Sequence, residues 1–259
     1  MRSASQLTNN RPRHDKHFVR PSRPFSVAFL FLFISAHPAW ANLLVNGDFE
    51  NSSPQVAVGS YANVAPGQTT TLTGWTTALG TGGSGPGIYM ASAGSTGWIP
   101  NPQHGKFALQ LDSTNTGTFT TGNSISQSVT LAANSFYTLA FSINTEVGAG
   151  KGGTSGADVT ITNPAAVNIV NAQQFTVTSG AAGSNPAATT PWATYQISFQ
   201  TTTAGSYTFK FQDDVISANS NIAIDNIDLE PVPEASHWMV FLGFGAASIC
   251  VRTWRRRTA

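Results

Sequence analysis

Hydrophobic and polar residues alternate along most of the chain between residues 42 and 230. Tyr137, Leu139, Phe141 and Ile143, for example, are separated by single small residues. A period of two places every second side chain on one face of a β-strand, so that one face is buried. The pattern predicts about ten strands: Leu43 to Phe49, Gly87 to Ser92, Phe107 to Leu111, Ser124 to Leu131, Tyr137 to Ile143, Ala157 to Thr162, Phe175 to Thr178, Tyr195 to Phe199, Tyr207 to Phe211 and Ile222 to Leu229.

The helical period of 3.6 residues is almost absent from this region. No window offers the ten to twelve amphipathic residues that a crossover between parallel strands needs, which excludes a doubly wound parallel sheet. An antiparallel sandwich or a barrel remains. The chain length and the long Gly-rich loops favour an all-β fold, an antiparallel jelly-roll β-sandwich over residues 42–230.

Residues 1–41 have the three parts of a secretory signal peptide. A basic stretch precedes the apolar run from Phe25 to Ile34, and Ala39-Trp40-Ala41 follows as an A-x-A cleavage pattern. The alternative is a transmembrane anchor, but ten apolar residues are far fewer than the roughly 20 that cross a bilayer. We therefore expect export, with cleavage after Ala41.

Residues 231–259 contain a Pro-Glu motif, an apolar run from Trp238 to Val251 and an arginine cluster. The cluster should stay cytoplasmic, which predicts a single hydrophobic helix in the membrane with the sandwich outside. This order resembles a PEP-CTERM sorting signal, which implies processing by an exosortase-type enzyme and a final location at the cell surface or outside the cell. An ordinary single-pass tail is the alternative. The residues that carry the resemblance are Val232, Pro233, Glu234, Arg255, Arg256 and Arg257.

Charge and residue usage exclude several classes of function. Residues 42–230 contain three lysines, ten acidic residues and no arginine, a net charge of −7, which would repel nucleic acid. Cys250, the only cysteine, lies in the C-terminal apolar run, so the sandwich has no disulfide or thiolate chemistry. His104 is the only histidine between residues 42 and 230, which excludes a multi-histidine metal centre within one chain.

The last predicted strand changes phase. Ile222 and Ile224 share one parity, whereas Ile227 and Leu229 have the other, so one extra residue must lie near Asp225. This indicates a β-bulge that turns Asp225 away from the solvent face.

Two carboxylates also occur near the start of the region, in the sequence Asn46-Gly47-Asp48-Phe49-Glu50. Carboxylate and carbonyl oxygens are hard ligands of the kind that Ca²⁺ prefers.

The region as a whole resembles the galactose-binding-like jelly roll of carbohydrate-binding modules. The resemblance is carried by residues 42–50 (NLLVNGDFE), 74–75 (GW), 104–112 (HGKFALQLD), 124–142 and 222–229 (IAIDNIDL). It implies a structural calcium ion bound by the side chains of Glu50 and Asp225 and by the main-chain oxygens of Gly47 and Lys106. Alternatively, Asp225 only caps the bulge and Glu50 faces water.

Four aromatic residues lie within or beside Gly- and Pro-rich loops, where an exposed ring can stack on a sugar. They are Trp98, Trp75, Tyr89 and Trp192, and Trp98 is the preferred candidate. The alternative for each is a place in the core, since a buried aromatic side chain removes 150–250 Å² from water.

Catalytic motifs are weak. Residues 148–153 match G-x-G-x-x-G but open no predicted helix, and Asp213-Asp214 with Glu146 is the only candidate glycosidase pair. We therefore expect a non-enzymatic exported protein that associates with exopolysaccharide. The alternatives are a secreted glycan-acting hydrolase and a purely structural surface protein without a ligand.

Overall fold

Eleven β-strands are present in the part of the chain that the structure describes. This computed structural model describes residues 41–52, 56–57, 59–67, 71–81, 87–92, 101–113, 121–145, 154–178, 192–214 and 221–233. The strands are β1 Tyr61–Asn63, β2 Thr76–Ala78, β3 Ile88–Ser92, β4 Phe107–Leu111, β5 Ser124–Leu131, β6 Phe136–Thr145, β7 Thr154–Thr162, β8 Asn168–Thr178, β9 Ala193–Gln200, β10 Gly205–Asp214 and β11 Ile222–Pro231.

The strands form two antiparallel sheets. The six-stranded sheet has the order β1-β3-β4-β11-β6-β9, and the five-stranded sheet has the order β2-β5-β10-β7-β8. Some neighbouring strands, such as β3 and β4 or β7 and β8, are consecutive along the chain, whereas the last strand, β11, pairs with both β4 and β6. The predicted antiparallel jelly-roll sandwich is confirmed, and among the described residues there is no helix.

The core lies between the two sheets and consists of the alternating apolar residues. Phe141 on β6 meets Phe211 on β10 with ring centroids 5.2 Å apart at 75°, and Trp75 meets the same Phe211 ring at 6.1 Å. All three side chains are completely buried. The contact of Phe141 with Phe211 joins the two layers, and edge-on aromatic contacts contribute about 0.5–1.5 kcal/mol each beyond area burial.

One predicted strand is absent. Residues 43–49 form bends and turns, because Asn46 and Phe49 have positive φ angles of 55° and 57°. Those values are incompatible with an extended strand. The segment nevertheless lies along β11, as Leu43 N donates to Leu229 O at 3.0 Å.

The bulge in β11 is confirmed. The pairing of β11 with β6 shifts register between Asp225 and Asp228, and Asn226 has a φ of 52°. Asp225 is completely buried, as the change of phase predicted.

Most of the two terminal segments lies outside the described residues. This applies to residues 1–40, Glu234 and the arginine cluster, so the signal peptide and the sorting motif stay predictions. Val232 is described: its N–H donates to Phe136 O at 2.8 Å and its side chain is exposed. Within the described ranges, no helix has the length and apolar character needed to cross a bilayer.

Candidate functional site

The first described segment is attached to β11 through the side chain of Asn42. Its Nδ2 donates to Ile227 O at 2.7 Å, and its Oδ1 accepts from Leu229 N at 2.9 Å. The amide therefore uses both its donor and its acceptor on one strand, as a neighbouring strand would. This brings the two acidic segments, near Glu50 and near Asp225, to the same side of the molecule.

Gly47 makes the closest approach in this segment. Its carbonyl accepts from Ile227 N at 2.9 Å, and a Cβ at this position would lie 1.9 Å from Ile227 O. Only glycine fits, because any side chain would push the segment away from β11.

Glu50 holds the loop that precedes β4. Its Oε1 accepts from Lys106 N at 2.5 Å and from Phe107 N at 2.9 Å. Gly105, with a φ of 66°, wraps so closely that an added Cβ would lie 2.2 Å from Oε1. Glu50 is therefore a structural anchor of residues 103–107, and it does not simply face water.

Asp225 holds the same loop from the other side. Its Oδ2 accepts from His104 N at 2.9 Å, and its Oδ1 accepts from Asn226 N at 2.7 Å. Burial raises the pKa of this carboxyl to about 7, the main-chain N–H groups of His104, Asn226 and Gln103 oppose that rise, and the charge of Asp48 adds to it.

The structure thus brings Glu50 and Asp225 onto one short loop, as the calcium hypothesis requires. Of the two main-chain candidates, the Gly47 carbonyl already accepts the Ile227 N–H, and Lys106 uses its N–H on Glu50. In the described segments, no three Asp, Glu, His or Cys side chains are grouped to hold a metal ion. A calcium ion would therefore need main-chain oxygens besides the two carboxylates, which are chemically suitable ligands.

A cleft of about 340 Å³ lies beside the junction of Glu50, Asp225 and the loop of residues 103–107. Its lining includes Asn42, Asp48, His104, Asp228 and Glu230. The carboxyl groups of Asp228 and Glu230 are hydrogen-bonded to each other. Burial raises the pKa of both, and the charge of Asp228 raises that of Glu230 further. His104 Nδ1 lies 3.9 Å from Asp48 Oδ2.

Trp75 was wrong as a sugar-binding candidate. Its side chain has no exposed surface, its Nε1–H donates to Asn46 O at 3.0 Å, and its ring lies 5.9 Å from that of Phe49. A ring with no exposed surface cannot stack on a sugar, so Trp75 is a core residue that holds the first segment. Trp98 lies outside the described residues.

Tyr89 points away from the core. Its neighbours Ile88 and Met90 on β3 are completely buried, so Tyr89 occupies the outer face of the six-stranded sheet and is partly exposed. Tyr61 on β1 stands edge-on to it, with ring centroids 5.8 Å apart at 77°, and is 56% exposed. Sequence reasoning missed Tyr61, although it follows Gly59 and precedes Pro66-Gly67 and so carried the same signal.

On this outer face, one residue from each of several neighbouring strands lies in a line across the sheet. Tyr89 lies opposite Gln110, Gln110 opposite Ala223, and Ala223 opposite Asn144. The pairing of β6 with β9 places Ile143 opposite Ala193, and its continuation places Trp192 opposite Asn144. We call this set the aromatic row; with strands about 4.8 Å apart, its two ends are roughly 19 Å from each other.

The residues along the aromatic row are uncharged. Gln110, Ala223 and Asn144 in the middle are buried, whereas Tyr89 and Trp192 at the ends are partly exposed. The Trp192 Nε1–H donates to Asn101 O at 2.8 Å, which fixes the orientation of the indole. Aromatic surface is thus exposed at the two ends of the row, and the covered residues between them carry no charge.

Asp213 and Asp214 do not form a glycosidase pair with each other. Asp213 is 2% exposed and continues the inward-facing set of β10, whereas Asp214 is partly exposed on the opposite face of the same strand. Adjacent residues of a strand point to opposite sides, so the two carboxylates cannot flank one bond. Glu146 lies outside the described residues.

The chain matches no known family model and no curated protein in sequence. Carbohydrate-binding modules are among its structural neighbours. TmCBM61 in complex with β-1,4-galactotriose has 15% identity and a TM-score of 0.44, covering 74% of this chain and 99% of that one. The CBM22-1 xylan-binding domain from Paenibacillus barcinonensis Xyn10C has 16% identity and a TM-score of 0.40, covering 70% and 100%.

An enzyme is also similar in structure. The enzymatically active domain of tailspike protein 4 from bacteriophage CBA120 has 14% identity and a TM-score of 0.43, and the match covers 74% of this chain. The chain spans only 21% of the length of that tailspike chain.

Proposed function

We propose that the sandwich is a non-enzymatic glycan-binding domain of an exported protein, and that it binds exopolysaccharide on the outer face of the six-stranded sheet. The observation that supports this most is the aromatic row, which has Tyr89 at one end, beside Tyr61, and Trp192 at the other. Aromatic faces stack on the apolar faces of sugar rings. A separation of roughly 19 Å suits a chain of several sugar units rather than a monosaccharide.

The charge distribution favours an uncharged glycan. Residues 42–230 have a net charge of −7 and no arginine, so a uronic acid or sulfated polymer would be repelled. The aromatic row itself carries no charged side chain.

Affinity gel electrophoresis in the exopolysaccharide of the source organism tests this proposal. We expect the apparent Kd, obtained from retardation at several polysaccharide concentrations, to rise at least tenfold in the double variant Tyr61→Ala, Trp192→Ala. Each lost stacking contact costs about 1 kcal/mol. Phe136→Ala is the matched control, since Phe136 is 49% exposed but lies eight positions along β6 from Asn144, roughly 26 Å away.

Equal retardation of the wild type and the double variant would remove glycan binding from this face. An equal loss in Phe136→Ala would indicate nonspecific adsorption. Release of reducing sugar that Asp214→Asn abolishes would support the hydrolase alternative.

Export and sorting belong to the same proposal and are supported by the sequence alone. Residues 1–41 would direct secretion, and residues 231–259 would hold the protein in the inner membrane until an exosortase-type enzyme cuts near Pro233-Glu234. Mass spectrometry of the mature protein tests both ends. A first residue of Asn42 and a missing arginine cluster are expected, and an uncut chain would contradict the proposal.

A structural calcium ion at Glu50 and Asp225 is the third part of the proposal. Two carboxylates, those of Glu50 and Asp225, accept hydrogen bonds from the loop of residues 103–107. Asp225 is buried, and no basic side chain contributes to its pKa shift. The ion would keep the Asp225 carboxylate ionised and tie the first segment to β11. The melting temperature should fall in EDTA, and Glu50→Gln should make that fall smaller by the share that this ion contributes.

A further inference from the structure

Asp213 is an unusual residue for the interior of a β-sandwich. It follows Tyr207, Phe209 and Phe211 on the inward-facing side of β10 and is 2% exposed. Its Oδ1 is buried and has no hydrogen-bond partner. A buried carboxylate oxygen without a partner costs several kcal/mol of folding free energy, so the position needs an explanation.

The nearest polar neighbours of Asp213 come from the end of β4. Ser113 donates to the carboxylate through its hydroxyl and its main-chain N–H, and the charge of Asp112 acts on Asp213. Asp112 is itself only 7% exposed. Two buried carboxylates therefore lie near each other at the end of the sandwich, and none of the described basic side chains acts on Asp213.

Asn123 holds these strand ends in place. Its main-chain oxygen accepts from Asp213 N at 2.9 Å, and its N–H donates to Ser113 Oγ at 2.9 Å. The adjacent Gly122 is so close that an added Cβ would lie 1.8 Å from Asp213 O. The main chain at Asp213 and the Ser113 hydroxyl are thus held by Asn123 and Gly122.

We propose that Asp213 and Asp112 bind a divalent cation at this end of the sandwich, with Ca²⁺ as the preferred ion. A cation supplies the missing partner of Asp213 Oδ1 and neutralises two carboxylates that repel each other. The described side chains that meet here, those of Asp112, Ser113 and Asp213, offer oxygen atoms, which favours a hard ion. The inference is independent of the proposed glycan binding.

This site is separate from the junction of Glu50 and Asp225. The loop of residues 103–107 ends at Phe107, the first residue of β4, and Asp112 directly follows the last. Five strand residues separate the two ends by about 16 Å, which is too far for a shared ion.

Equilibrium dialysis of the purified full-length chain against radioactive Ca²⁺ tests the proposal. We expect Asp213→Asn to bind one ion fewer per chain than the wild type. Asp214→Asn is the matched control, because it makes the same change of charge at the next residue, on the partly exposed face. It should bind as many ions as the wild type, whatever the occupancy at Glu50 and Asp225.

The rise in melting temperature on adding Ca²⁺ gives a second measure of binding at this site, independent of the ion count. At a Ca²⁺ concentration about 100 times Kd, the site should raise the melting temperature of Asp214→Asn by about 5–10 °C more than that of Asp213→Asn. In EDTA, Asp213→Asn should be at least as stable as the wild type, because the amide carries no charge for Asp112 to repel.

Equal ion binding and equal calcium shifts in the two variants would overturn the proposal. Asp213 would then be a protonated acid that needs no metal. A folded Asp213→Asn protein in EDTA shows that lost binding is not the result of unfolding.

Discussion

Asp225 Oδ2 accepts a hydrogen bond of 2.9 Å from the main-chain N–H of His104, which lies 121 positions earlier in the sequence. With Glu50 holding Lys106 and Phe107, this bond fixes the loop of residues 103–107 between the first segment and the bulge of β11. The loop thus joins three parts of the chain that only the fold brings together.

Replacing Asp225 by alanine should lower the free energy of unfolding by about 2–4 kcal/mol at pH 5.5, because the N–H groups of His104 and Asn226 lose their acceptor. Urea unfolding measures the loss. His104→Ala is the control: the bond uses the main chain, and the side chain is exposed, so a change below about 1 kcal/mol is expected. A large loss in His104→Ala would place the stabilisation in the imidazole instead.

Stability in EDTA should depend on pH through Asp225. Its pKa is about 7 in the folded protein against a usual 3.8, and burial likewise raises that of Asp213. Between about pH 4 and 7 the folded state holds protons that the unfolded state has released, so the free energy of unfolding falls as pH rises. Urea midpoints should be lower at pH 7.5 than at pH 5, and Asp225→Asn should reduce the difference; a midpoint that rises with pH contradicts this.

Trp75 should affect stability and not glycan retention. Trp75→Ala removes a completely buried ring and should cost about 3–5 kcal/mol, measured by chemical denaturation. Trp75→Phe keeps most of the ring but leaves Asn46 O without its donor, so it should cost less and retain full mobility shifts in affinity gels. Reduced retardation of a folded Trp75→Phe protein would show that this residue contributes to binding.

Asn123→Ala should be among the most destabilising polar substitutions. The Nδ2 group donates to Gly87 O and Asp112 O, and Oδ1 accepts from Gly80 N, so three hydrogen bonds to the main chain are lost. A loss of about 3–5 kcal/mol is expected by urea unfolding. Asn168→Ala, at an exposed asparagine of β8, should change stability by less than about 1 kcal/mol.

The bulge and the aromatic row show how far sequence reasoning reached. The change of phase between Ile224 and Ile227 is a local property, so it predicted the bulge and the burial of Asp225. Trp75 and Trp192 had the same local signal, an aromatic residue beside a loop, yet one is buried and the other is partly exposed. Which ring enters the core depends on strand pairing, which no local pattern records.

The alternation of apolar and polar residues determined the fold class, most of the strands and the absence of a parallel sheet, because a strand with one buried face must repeat every two residues. The positive φ angles of Asn46 and Phe49, which keep the first segment out of the sheet, arise where it packs against β11 and Trp75. Only the tertiary structure placed Glu50, Asp225 and residues 103–107 together, left Asp213 Oδ1 without a partner and aligned Tyr89 with Trp192. These relationships depend on the register between distant strands, which side-chain packing throughout the core decides.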